Sequence, residues 1–304
     1  MDTESHLGAT LAHRAALAAV LVLMSGAAVF AAGAPAPAKV INVVAAENFY
    51  GNIAGQLGGE RVHVTSILSD PNVDPHEYES SVNDAKAAAT ADLVIENGGG
   101  YDDWMDKLLS GSPSGRRVVV KAFDIAGNKL PDNEHVWYDI DNAQGIAQSV
   151  TQALQRISPA DTPLFARNLQ DFQQSLVKVR RKMAEIKARW NGTPIGLTET
   201  IFLYQAKPLG LVVLTPPGFQ KAIAEGNDPP ADTVVAAENQ VKGKKIRALV
   251  CNEQTISPIT SKLKEEAKSA GIPIVPVTET MPSGMNYQDW MLSQLTALAQ
   301  ALGK

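Results

Sequence analysis

Outside its first thirty residues the chain carries three histidines, His63, His76 and His135, and two of them stand where an imidazole could act as a ligand. His76 lies in Asp74-Pro75-His76-Glu77-Tyr78-Glu79, directly after an apolar run that reads as a strand. The proline fixes the backbone there, and a turn presents the side chains that follow at the carboxyl edge of the sheet. His135 lies in Glu134-His135-Val136-Trp137-Tyr138-Asp139, a loop leading to a helix, with Asp139 placed to accept from an imidazole N–H. A neutral imidazole is the commonest protein ligand for transition metals. From spacing alone, however, two histidines in separate loops read equally as metal ligands and as surface residues. His63 falls in Arg61-Val62-His63-Val64-Thr65, opposite the apolar face of an alternating strand, and is read as structural. Cys251, in Ala248-Leu249-Val250-Cys251, is read as an inert thiol in a buried strand.

These loops need elements to hold them. Short runs rich in Val and Ile alternate with helical patterns, the signature of βα units and a mostly parallel sheet. In the first half the strands are expected at 40–46, 62–68, 93–96 and 118–123, with helices at 48–56, 81–90 and 101–109. In the second half they are expected at 195–198, 211–214, 246–251 and 274–277, followed by a closing helix over 287–302. Between the halves Ser158-Pro159-Ala160-Asp161 reads as a capping box with proline at the first helical position. Phe165, Leu169, Phe172, Leu176, Val179, Met183 and Ile186 then recur at alternating intervals of four and three, one unbroken apolar stripe along a single helix ending near Trp190-Asn191-Gly192.

Length supports the same division, since 304 residues exceed one ordinary core. The expected fold class is α/β, with two lobes, each a mostly parallel sheet flanked by helices, joined by one long spine helix. Residues 1–32 read as an export signal, because Arg14 precedes an apolar run that ends in small residues. A Pro/Ala tether over 33–39, a first lobe over 40–157, the linking helix over 158–191 and a second lobe over 192–304 complete the scheme. A cleaved signal implies a periplasmic chain with no stable membrane insertion. With Cys251 the only cysteine, none stands at the cleavage region to carry a lipid, and no intramolecular disulfide can form. A net charge of −5 without a basic stripe excludes the usual nucleic-acid binders.

The motifs Asp-Pro-His-Glu-Tyr-Glu, Ala-Asp-Leu-Val-Ile-Glu-Asn-Gly and His-Val-Trp-Tyr-Asp, taken in that order, resemble those of the zinc, manganese and iron solute-binding proteins of ABC importers. The likeness covers nearly the whole chain after the signal, including the spine helix, the Ala-Gly-Ile-Pro-Ile-Val-Pro-Val strand and the Tyr-Gln-Asp-Trp-Met-Leu helix. It implies the cluster A-I form of the two-lobed fold, a monomer, and an ABC transporter permease as partner. It also implies an ion held between the lobes by four side chains, two from each. Carried onto this chain, those positions are His76, His135, Glu199 in Thr198-Glu199-Thr200, and Glu279 in Thr278-Glu279-Thr280. Glu199 stands where zinc-type members have His, and Glu279 is one methylene longer than the usual Asp. Taken without the resemblance, both glutamates read as ordinary solvated charges. Glu253 is a lesser candidate for the same cleft.

Two imidazoles and two carboxylates offer more than four donor atoms when a carboxylate chelates, which suits Mn²⁺ or Fe²⁺ ahead of Zn²⁺, although Zn²⁺ also accepts such a set. The absence of any histidine between Glu77 and Glu134 points the same way, because zinc-type members often carry a His-rich loop there. Two other classes of function compete. A metallohydrolase would need a His-Glu-x-x-His helix or a comparable motif, and none is present, so no enzyme is expected. A binding protein for an organic solute would line its cleft with aromatics, for which Trp104, Trp137 and Trp290 are the candidates; at their spacings they read as core.

Overall fold

The structure is a computed structural model that describes residues 39–70, 73 and 78–304. The expected export signal and nearly all of the tether lie outside the described residues, and so does His76. Val40–Lys304 form one compact unit.

The first sheet is built from β1 (Ile41–Glu47), β2 (Val62–Leu68), β3 (Leu93–Glu96) and β4 (Val118–Lys121), all parallel, in the order β2-β1-β3-β4. Helices α1 (Asn48–Gly58), α2 (Val82–Thr90), α3 (Asp103–Gly111), α4 (Ala122–Ile125) and α5 (Ile140–Ile157) flank it. The second sheet repeats this topology with β5 (Pro194–Leu197), β6 (Val212–Val213), β7 (Leu249–Asn252) and β8 (Ile274–Val277) in the order β6-β5-β7-β8, again all parallel. Around it lie α8 (Leu203–Leu209), α9 (Pro217–Ala224), α10 (Ala231–Lys242), α11 (Pro258–Ser269) and α12 (Tyr287–Leu302). Central strands β1, β3 and β7 are buried almost throughout, which is why their sequences run apolar without alternation. The edge strand β2 alternates, and His63 sits on its exposed face.

The spine departs from expectation in two places. It consists of α6 (Thr162–Ser175) and α7 (Val177–Trp190), interrupted at Leu176, rather than one unbroken helix. The cause is a competing acceptor bond: Ser175 Oγ donates to the Phe172 carbonyl at 2.6 Å, and Gln288 of α12 donates to that hydroxyl at 2.6 Å. The Leu176 N–H is left shared between the Phe172 and Gln173 carbonyls, both at 3.3 Å. Serine back-bonding of this kind bends helices. The apolar stripe continues past the interruption, with Phe165, Phe172, Leu176, Val179 and Ile186 buried. At its start, Ser158 makes no cap to a backbone N–H; Pro159–Asp161 form a 3-10 turn instead. Asp161 accepts from Ser158 Oγ at 2.6 Å and from Arg61 Nε and Nη2 at 2.9 and 2.8 Å, so the carboxylate serves an ion pair rather than a capping box.

One core runs through both lobes. Trp137 of the first lobe stacks on Phe49 at 4.6 Å between centroids, and Phe49 in turn lies 5.9 Å from Trp290 of α12. Tyr138 Oη donates to the Thr278 carbonyl at 2.6 Å, and Tyr287 Oη to the Trp137 carbonyl at 2.6 Å. Trp137 and Trp290 are 0% and 1% exposed, so they are packing residues, and Trp104 is half-buried against Tyr78. By area, burying each large aromatic contributes about 4 to 6 kcal/mol, enough to keep the lobes from separating freely. Among the described residues no helix is long and apolar enough to cross a membrane.

Candidate metal-binding site

The carboxyl edges of the two sheets meet across the cleft. After β3 the chain runs Asn97-Gly98-Gly99-Gly100-Tyr101-Asp102, and its three glycines have φ of 71°, 68° and 92°. Asp102 closes this turn by accepting from the Asn97 and Gly98 amides, both at 2.6 Å. The turn aims Tyr101 across the cleft, where its hydroxyl donates to Glu279 Oε2 at 2.9 Å. Behind it, at the end of β1, the fully buried Glu47 carboxyl is pushed well above the usual carboxylate range by burial, and further by the charge of Asp102.

His135 enters from the loop before a 3-10 turn, Val136–Tyr138, and is 0% exposed. Its partner is Asn133 and not Asp139. Asn133 Oδ1 accepts from the His135 backbone N–H at 3.1 Å and lies 2.9 Å from His135 Nδ1. An oxygen that already accepts a backbone N–H is an acceptor only, so Nδ1 carries the hydrogen and the lone pair sits on Nε2. The other end of the same amide, Asn133 Nδ2, donates to the Thr200 carbonyl at 2.8 Å, beside Glu199. Asp139 is occupied elsewhere, capping α5 by accepting from the Asp141 and Asn142 amides.

Facing this imidazole is Glu279, also 0% exposed, with Oε2 at 3.9 Å from His135 Nε2. That is too long for a hydrogen bond, yet two donors that share one ion at ~2.0–2.2 Å each stand up to about 4.3 Å apart, so the distance is compatible with both reaching one cation. Glu134 Oε1 stands at 3.9 Å from the same nitrogen. Glu279 is held from its own lobe by Asn252 Nδ2, which donates to Oε1 at 2.7 Å. Glu199 is 2% exposed; its Oε2 accepts from the Ile201 amide at 2.7 Å and from Thr200 Oγ1 at 3.3 Å, while Oε1 has no hydrogen-bond partner among the described residues. Burial pushes the Glu199 carboxyl well above its usual range, and the charge of Glu279 pushes it further. Two buried carboxyl groups close enough to feel each other's charge are stabilised by a cation and destabilised without one.

Of the four expected ligands, Glu199, Glu279 and His135 are all buried, and the structure brings His135 Nε2 and Glu279 Oε2 to 3.9 Å of each other. Among the described residues no group of three His, Cys, Asp or Glu side chains surrounds a single ion position. Glu253 points away, accepting from Lys264 Nζ at 2.7 and 2.8 Å. Cys251 is buried, and burial pushes its thiol up to about 12, out of the reactive range. Sequence reasoning overlooked Tyr101, Asn133, Glu134, Asn252 and Gln254.

Residues 43–301 match the family described as ZnuA, zinc-uptake complex component A, periplasmic. The chain belongs to that family. As a ZnuA-family member it is a binding component of an uptake system rather than an enzyme. The chain is 24% identical over 288 residues to the metal ABC transporter substrate-binding lipoprotein ScbA of Streptococcus cristatus, covering 87% of this chain and 89% of that protein. It is 23% identical over 288 residues to the manganese ABC transporter substrate-binding lipoprotein PsaA of Streptococcus anginosus, covering 87% and 90%. Among solved structures, the periplasmic zinc-binding protein TroA of Treponema pallidum superposes with a TM-score of 0.71 at 20% identity, covering 87% of this chain and 99% of that one. FpvC of Pseudomonas aeruginosa, solved with Mn²⁺, gives 0.71 at 18%, covering 87% and 99%. These likenesses establish the two-lobed fold of the family. Both sequence relatives are named lipoproteins, so the expectation of a chain without lipid is not borne out by them.

Proposed function

We propose that this chain captures one divalent transition-metal ion in the periplasm and delivers it to an ABC transporter permease. The jaws are the lobes at 40–157 and 192–304, and the ligands are His76, His135, Glu199 and Glu279. The observation that carries the reading is the pair formed by His135 Nε2 and Glu279 Oε2, from opposite lobes, fully buried and 3.9 Å apart. Burial of the two glutamates and of the imidazole without a full set of neutralising cations is costly unless an ion completes the set. A donor set of two nitrogens and two carboxylates favours Mn²⁺ or Fe²⁺, with Zn²⁺ also accepted. The names of the relatives, which include manganese and zinc binders, support this range of ions. The protein acts as a monomer.

Metal content measured by mass spectrometry on protein purified from the periplasm tests the reading. About one equivalent of Mn, Fe or Zn is expected, lost in His135→Ala and in Glu279→Ala. A wild-type chain that neither carries nor takes up any of these ions overturns it.

A further inference from the structure

The loop after β7 supplies none of the proposed ligands, yet one of its side chains touches both halves of the cleft. Gln254 is 8% exposed and every polar atom of its amide is engaged. Its Oε1 accepts from the Glu279 amide at 2.7 Å, from the Thr280 amide at 3.0 Å and from Thr280 Oγ1 at 3.3 Å. Its Nε2 donates to the Val73 carbonyl at 2.9 Å, in the first lobe. The side chain is itself fixed, because its backbone N–H donates to Asn252 Oδ1 at 3.0 Å, and Asn252 Nδ2 holds Glu279 Oε1. Val73 stands three positions before His76 in the sequence.

The structure assigns to Gln254, we infer, the role of a positioning residue that joins the Glu279 loop to Val73 of the first lobe. One amide orients the backbone from which Glu279 projects, and the same amide straps that backbone across the cleft. Oxygen and nitrogen are assigned by the network itself, since two backbone N–H groups can be met only by an acceptor and a carbonyl only by a donor. A contact that orients the backbone of a ligand loop acts on how long the ion is retained, and supporting contacts around ligands are worth about 10- to 100-fold in metal affinity. The inference rests on the metal-capture reading for its effect on release, but the strap itself can be read without metal.

Two variants and two measurements test it. In Gln254→Met, which keeps length but loses both polar ends, Mn²⁺ should still bind with wild-type stoichiometry and dissociate about tenfold faster, followed by transfer to a chelator. Gln254→Glu keeps the acceptor and loses the donor. By hydrogen exchange on the metal-free chain, its Glu279 and Thr280 amides should stay as protected as in the wild type, while the peptide covering 68–80 exchanges faster. Dissociation from Gln254→Met within about twofold of wild type, with exchange over 68–80 unchanged in Gln254→Glu, overturns the assignment. A wild-type chain that takes up no Mn²⁺, Fe²⁺ or Zn²⁺ overturns the capture reading instead, and unchanged exchange over 68–80 then overturns the strap as well.

Discussion

At the scale of single residues, the site depends on which nitrogen of His135 carries the proton and on which carboxylates lose theirs. Asn133 decides the first by accepting at Nδ1, so Nε2 faces Glu279 with its lone pair. Asn133→Ala should leave the fold intact and weaken metal affinity by about 10- to 100-fold, read by competition against a chelator, because the ring loses its fixed tautomer and its tie to Thr200. The second point sets the pH dependence. Burial and the neighbouring Glu279 push the Glu199 carboxyl above its usual range, so protons compete with an ion there more strongly as pH falls. Imidazole protonation acts in the same direction. Affinity should therefore fall steadily between about pH 7.5 and about pH 5.5, with proton release on binding visible by calorimetry in buffers of different ionisation heat. A flat profile over that range would argue against ligation by His135 and Glu199.

At the scale of elements, the loops matter more than the strands they leave. The turn from Asn97 to Asp102 works only because three successive glycines take positive φ, and Gly99 is the tightest of them. A Cβ there would stand 2.7 Å from Phe123 Cγ, on a backbone with φ of +68°. Gly99→Ala should cost about 2 to 4 kcal/mol in urea unfolding. It should also weaken metal binding, since Tyr101 would be carried off Glu279. The spine belongs to this scale as well. Its stripe was legible as a period of alternating fours and threes, but the break at Leu176 was not, because it arises from Gln288, far along the chain, acting on the Ser175 hydroxyl.

At the scale of the whole molecule, the continuous core limits how far the lobes can part, and a set of buried acids makes the first lobe sensitive to pH. Glu96 is 1% exposed and burial pushes it up to about 7, against the opposing pull of Lys121, whose Nζ lies 2.8 Å away. Its folded value thus lies above the unfolded one. The stability it contributes is fully present below about pH 4.5 and is lost as pH rises through about 7. Melting temperatures of the metal-free protein should reflect that loss, and Glu96→Gln should flatten the window. Lys121 remains paired with Asp106 at 2.6 Å in that variant, so a general loss of structure is not expected.

The sequence by itself determined the parallel α/β class, nearly every strand, the closing helix to the residue, and the apolar face of the spine, because each is written in local hydrophobic periods. Its motifs also determined the family. It placed a helix after the His135 loop without giving its range, and it did not show α8 to α11, where apolar positions are diluted by small and polar residues. Only the tertiary structure decided that Glu199 and Glu279 are buried beside His135 rather than solvated, since burial depends on what the other lobe brings over them. It likewise decided that Asn133, Tyr101, Asn252 and Gln254, residues of ordinary type in unremarkable loops, hold His135 and the Glu279 loop in place. Their roles are hydrogen bonds between positions up to 181 apart in the chain, and no local pattern encodes a partner at that distance.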